Sequence, residues 1–209
     1  MNPQRGQRDR TCSWQSYERQ RMKVYPPAVT VLAGDAREAL SRRIAEVRAD
    51  PERMAVQDEG YAYYPRTWGS PYLERRRKLG WSLYGLLGIG RGEKAAIEAQ
   101  MGCNYNFFGA PVGLIFTIDW IMEQGSWLDY GMFSQSVMLA AMARGLDTFP
   151  QAAFIYFHRL IVDFLWMDQE KTAVVCGMAL GYADPGAVEN QLETERAPVS
   201  DFTVFVDKK

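Results

Sequence analysis

The stretch GSWLDYGMFSQSVMLAAMARGLDTFPQAAF, Gly125 to Phe154, restricts the possible folds more than any other. From Leu128 to Arg144 good helix formers carry apolar side chains on nearly every face. A helix that is greasy all round belongs in the middle of a protein. Ser126 with Asp129 three residues on reads as a capping box, and Gly145 as the left-handed stop. Leu146 to Pro150 then reads as a bend, with Gln151-Ala152-Ala153 opening a second helix that runs to Met167. Free N–H groups beside two alanines suit a flat, electron-accepting or anionic ligand. A buried helical hairpin turning over a proline fits the same pattern.

Two segments behave as strands buried on both faces: the latter half of Ala110–Asp119, and Ala173–Leu180 within Lys171–Tyr182. Gly177 inside the second marks close approach of another backbone or a ligand. Val29–Leu32 is a β-branched strand ending at Gly34. Asp35 then caps a helix over Ala36–Ala49, with Leu40, Ile44 and Val47 on one face.

Residues 51–67 read as loop, and Tyr61, Tyr63, Tyr64 and Trp68 make it either a core lid or a pocket lining. Pro71 starts a helix whose buried side is Leu79, Leu83, Leu86 and Leu87, with Arg75–Arg77 as a basic turn, either a solvated face or a contact for an anionic cofactor tail or nucleotide. The glycines of GIGRGEK follow a helix and have neither dinucleotide-loop nor Walker spacing, so they join it to a helix over Glu93–Met101. Beyond the polar run Asp184–Pro198, Phe202–Val206 reads as a short strand on an arm, pairing with a distant sheet edge or another subunit.

Several function classes drop out. A net charge of −1 argues against nucleic-acid binding by counterion release. The 47% hydrophobic and 23% charged residues are ordinary for a globular protein, and the longest apolar run, Ala110–Met122, is broken by Asp119, so no membrane span is expected. Three cysteines without CxxC spacing indicate neither disulfides nor zinc and suit a reducing cytoplasm. His158, the only histidine, reads as a polar spot in mid-helix rather than a triad base or metal ligand. An enzyme built this way has its chemistry carried by an organic cofactor, with no catalytic side chain of its own.

NFFGAPVGLIFTID (Asn106–Asp119), the opening stretch, VVCGMALGYADPGAVENQLETERAPVSDF (Val174–Phe202) and VTVLAGDAREAL (Val29–Leu40), taken in order, resemble the FMN-dependent nitroreductase family from about Val29 to Phe205. The resemblance implies an α+β fold, a central sheet flanked by helices in a domain-intertwined homodimer with a C-terminal arm. It implies FMN at the dimer interface, NAD(P)H as co-substrate, and ping-pong reduction of nitroaromatic, quinone or related planar acceptors. Carried over, the flavin's reactive edge faces Pro150, Gln151, Ala152 and Ala153, the Ala152 N–H donates to N5, and Arg196 grips the phosphate. Asn104 and Asn106 then lie near the pyrimidine and ribityl chain.

Residues 1–27, with six Lys/Arg against two Asp/Glu, are expected to be an atypical, poorly ordered leader before a nitroreductase-like domain over 28–209. The family's Arg-x-Ser-x-Arg start and its Pro-Ser-x-x-Asn-x-Gln-Pro-Trp segment have no counterpart before Val29; Asp9 to Gln15 has some of the residue types in the wrong order. Losing two phosphate contacts of about 1.5–3 kcal/mol each would weaken flavin binding by about two to four orders of magnitude. The rival expectation is therefore a scaffold that keeps the fold but binds FMN weakly or not at all.

Overall fold

A computed structural model describes residues 28–207; the leader, with its basic residues and Asp9–Gln15, lies outside the described residues. The described chain forms two compact units, one of residues 28–63 and 99–182, the other of 64–98 and 183–207. The α+β reading holds: in the first unit, β1 (Ala28–Ala33), β2 (Val112–Asp119), β3 (Asp147–Gln151) and β4 (Thr172–Gly181) make one sheet in the order β1-β2-β4-β3. Every pairing is antiparallel. β2 and β4 are central and apolar on both faces, as their near-continuous hydrophobic runs require. A register shift after Phe116 leaves Val175 as the extra residue of β4.

The two sheet faces carry separate cores. On one face α1 (Gly34–Arg48) brings Leu40, Ile44 and Val47, as expected, against Ile115, Val174, Ala179 and the Phe154–Val162 region. On the other, α5 (Gln124–Met142) sets Tyr130 and the partly buried Trp127, Phe133 and Val137 over Leu114, Phe116 and Met178. The Tyr130 hydroxyl lies 3.0 Å from the carbonyl oxygens of both Ala28 and Thr117, pinning α5 to the sheet. The segment expected to be loop opens with a short helix, α2 (Pro51–Ala55), capped by the Asp50 side chain. Tyr61 beyond it is a core lid: it packs on Trp120 and Trp127 and donates to Val174 O at 2.9 Å.

Several local expectations fail for physical reasons. No side chain caps α5, which starts at Gln124; the Ser126 hydroxyl bonds Met122 Sδ, so the capping box does not form. Asp35 lies inside α1, whose N-cap is Ala33. Gly145 does stop α5 with φ +71°. Residues 147–151 are strand β3 rather than a bend, because pairing with Gly177–Gly181 satisfies them as an extended edge. Pro150 is tolerated there because an edge strand can spare one N–H. The chain continues as a 3₁₀ turn, Ala152–Phe157, and α6 (His158–Phe164), not as one helix to Met167.

Gly177 does mark a close approach, but the neighbour is a side chain: an added Cβ would sit 2.2 Å from the Phe154 ring. Gly113 on β2 plays the same part for Phe107, at 2.4 Å. The two rings stack at 4.7 Å, filling the hollow that both glycines open in the sheet.

In the second unit α3 (Tyr72–Leu86) buries no residue, and Leu79 and Leu86 are exposed, against the expected apolar side. Arg76 is not merely solvated: its guanidinium lies over Trp68 and Tyr64. α4 (Lys94–Gly102) follows the glycine-rich loop. Phe202–Val206 forms no strand within the chain; Phe202, Val204, Phe205 and Val206 are exposed.

Candidate functional site

The first unit gathers two segments that stand far apart in sequence. Residues 103–109 form a 3₁₀ segment that turns sharply into β2 through Phe107, Phe108 and Gly109, all with positive φ. Two phenylalanines in the left-handed region cost on the order of 1–3 kcal/mol each, so the surroundings must hold them there. They do. α1 reaches over the segment, with Arg37 donating to Asn106 O at 3.1 Å and the Arg48 guanidinium over the Tyr105 ring. Tyr105 in turn meets Phe154 and Phe157 edge-on, and Phe107 stacks on Phe154.

The second segment is Pro150–Ala153. Gln151 is buried at the end of β3, and its Nε2 donates to Asn104 O at 2.7 Å. Its Oε1 is buried without a hydrogen-bond donor. Leaving such an acceptor unpaired costs about 1–3 kcal/mol, which asks for an explanation. Ala152 and Ala153 are half-buried, and the first N–H groups of any helical turn lack intrahelical partners. Beside Pro150, the half-exposed rings of Phe149 and Phe108 meet edge-on at 5.1 Å.

Of the residues expected at a site, Asn104, Asn106, Pro150, Gln151, Ala152 and Ala153 therefore come together. Asn104 contributes its backbone oxygen, while its side chain bonds Met101 O at 3.1 Å; Asn106 likewise offers a carbonyl, already taken by Arg37. Arg196 belongs to the second unit, where its guanidinium hydrogen-bonds Thr194 and Glu195 of its own loop. The strained Phe107–Phe108 pair was not expected; Gln151 was, but not the bond from its side chain to Asn104 O. Only Gly109, three residues after Asn106, hinted at a turn.

His158 lies at the first position of α6, not in mid-helix, and is buried, with Nε2 3.4 Å from Asp58. Burial drives its pKa below the ordinary imidazole value, outweighing the attraction of Asp58. Burial also pushes the Cys176 thiol up to about 11, which leaves it a poor nucleophile. Among the described residues no group of His, Cys, Asp and Glu could hold a metal, and no helix is long and apolar enough to cross a membrane.

A family model described as "Nitroreductase family" matches residues 21–182. The chain belongs to the nitroreductase family. Its nitroreductase relatives include the 4-nitrobenzoate reductase of Pseudomonas putida, 42% identical over 181 residues, or 87% of this chain and 77% of that protein. The nitrobenzene nitroreductase of Ectopseudomonas oleovorans is 36% identical over 84% of this chain and 76% of its own length. Among solved nitroreductase structures, the FMN and NADPH-dependent NfnB from sphigopyxis sp. strain HMH superimposes with a TM-score of 0.81. It is 32% identical, over 88% of this chain and 81% of that one.

The residues of the first unit fit a flavin ring system. A buried unpaired acceptor, two accessible alanines at the start of a turn and a pair of half-exposed phenyl rings suit a planar, hydrogen-bonding heterocycle.

Proposed function

We propose that this chain is an FMN-dependent oxidoreductase of the nitroreductase type, using NAD(P)H to reduce nitroaromatic, quinone or related planar acceptors in a ping-pong cycle. The carrying observation is the junction of residues 104–106 with 150–153, centred on buried Gln151, in a chain 42% identical to a 4-nitrobenzoate reductase. Bound FMN would supply two-electron redox chemistry. The chain's own part is to bind and orient: Pro150–Ala153 would face the ring, the Ala152 N–H would donate to N5, and Asn104 and Asn106 would border the pyrimidine and ribityl side. Arg196 would grip the phosphate. In this reading residues 28–209 act as a single nitroreductase-like domain preceded by the leader, in the reducing cytoplasm.

The same reading makes the working protein a homodimer. α5 carries two apolar stripes: Trp127, Tyr130 and Val137 pack toward the sheet, whereas Leu128, Met132, Leu139 and Met142 are exposed. A second copy covering the outer stripe would give the helix the burial its sequence calls for. The exposed apolar side chains of residues 202–206 would cross to that copy as an arm.

The decisive experiment is to purify the protein, add FMN and record the visible spectrum. The expected result is a yellow protein that bleaches with NAD(P)H and recovers with a nitroaromatic. A colourless protein that takes up no FMN overturns the proposal in favour of the non-catalytic scaffold. Arg196→Ala should weaken FMN binding by about tenfold or more, as loss of a charge-assisted contact of about 1.5–3 kcal/mol implies. Unchanged affinity would discard the phosphate role.

A further inference from the structure

Gln151 raises a question that its backbone position does not answer. Among the described residues Thr117, Gln151 and His158 are the buried polar side chains. The hydroxyl of Thr117 donates to Ala28 O at 3.4 Å; Ser41 Oγ and both His158 nitrogens lack a hydrogen-bond partner, but the His158 ring has the Asp58 carboxylate 3.4 Å from Nε2. Gln151 is satisfied on one side only. Its amide nitrogen donates to Asn104 O at 2.7 Å, and its oxygen has no donor. Exchanging the two ends of the amide does not help, because it would set an acceptor against the Asn104 acceptor. The orientation is thus fixed by the 103–109 segment, and the spare group is an oxygen.

A fixed, buried acceptor selects a ligand that brings an N–H or O–H. Gln151 stands between Pro150 and Ala152, the residues read above as facing the flavin ring, and an oxidised isoalloxazine has a single N–H, at N3. We propose that Gln151 Oε1 is the acceptor for the N3–H of bound flavin, and so acts as a positioning residue that sets the pyrimidine edge. This rests on the flavin reading above and adds to it a side-chain role with its own chemistry. A site built to pair an N–H rejects an analogue lacking it far more strongly than an apolar pocket could, because its own buried acceptor is then stranded.

The test uses binding alone. Dissociation constants for riboflavin and 3-methylriboflavin, from quenching of flavin fluorescence, are compared for the wild-type protein and Gln151→Met, which keeps the size of the side chain and removes the acceptor. The wild-type protein should prefer riboflavin by tenfold or more. Gln151→Met should bind riboflavin at least tenfold more weakly and lose that preference, to within about threefold. Its ligand-free melting temperature should stay close to the wild-type value, since removal of the unpaired buried acceptor offsets loss of the hydrogen bond to Asn104 O.

If Gln151 merely tied β3 to Asn104, or held a buried water, both flavins would weaken alike and the preference would survive in the variant. That result overturns the inference, as does a wild-type protein without any preference. A wild-type protein that binds no flavin at all overturns the cofactor reading itself, and this inference with it.

Discussion

His158 sits between opposing influences, and their balance has a sign that can be measured. Asp58 lies 3.4 Å from Nε2 and favours the charged ring; burial and neighbouring Arg159 disfavour it, and burial is the largest effect. The folded-state pKa is therefore depressed below the unfolded value of about 6.5. A base with a depressed pKa contributes stability that is complete above the unfolded pKa. That stability is lost as pH falls through the folded pKa, because the unfolded chain takes up the proton first. Between the two values the slope reaches about 1.4 kcal/mol per pH unit for one proton. Melting curves from pH 5 to pH 8 should show His158→Gln losing this acid-dependent component while other titrations remain. A variant whose melting temperature varies with pH as the wild type's does would refute the assignment. At this scale the sequence was least informative: periodicity marks His158 as helical, but cannot say that the chain near Gly60 closes over its ring. Nor can it say that Gln151 turns its amide toward Asn104.

At the scale of elements the sequence spoke more clearly. β1, β2 and β4 are legible because long apolar or β-branched runs have few other solutions, and α1 is legible from the spacing of Leu40, Ile44 and Val47. β3 was not, because Asp147-Thr148-Phe149-Pro150-Gln151 has neither alternation nor an apolar run; its pairing with β4 makes it a strand. The hollow over β2 and β4 lies between these extremes. A glycine in an apolar strand announces a close neighbour without naming it, and the neighbours are Phe154 and Phe107. Gly177→Ala should therefore overpack a fully buried ring stack, at a cost of about 1–3 kcal/mol. The gain from stiffening the unfolded chain, about 0.4–1 kcal/mol, is too small to offset it. Gly80→Ala in α3 meets nothing within 4 Å and should be neutral or stabilising by up to about 1 kcal/mol. Thermal melts of the pair decide it. Equal melting temperatures would mean that the ring stack yields freely and does not hold Ala152 and Ala153 in place.

For the whole molecule, the informative feature is an expectation that the single chain leaves half fulfilled. A helix apolar on all sides was expected in the middle of the protein, yet Leu128 is 69% and Met142 66% exposed. Residues 128, 132, 139 and 142 recur at spacings of four, seven and three, so they form one stripe along the helix. The sheet already occupies the opposite stripe, and among the described residues of the first unit this one stays exposed. Burying a fully exposed Leu or Met side chain is worth about 1.5–3 kcal/mol, so covering the remaining exposed part of these four in each of two copies would offset much of the cost of association. Leu139→Glu places a charge in the middle of the stripe, where it would be buried without a partner in a dimer but solvated in a monomer. Analytical ultracentrifugation at micromolar concentration should find the wild-type protein as a dimer and the variant as a folded monomer. Circular dichroism would confirm that the variant keeps its helices. If flavin binds at the interface, the same substitution should also release FMN, although residue 139 is outside both segments of the candidate site. A wild-type monomer would mean that the outer stripe faces some other partner, and a variant that stays dimeric would move the interface away from α5.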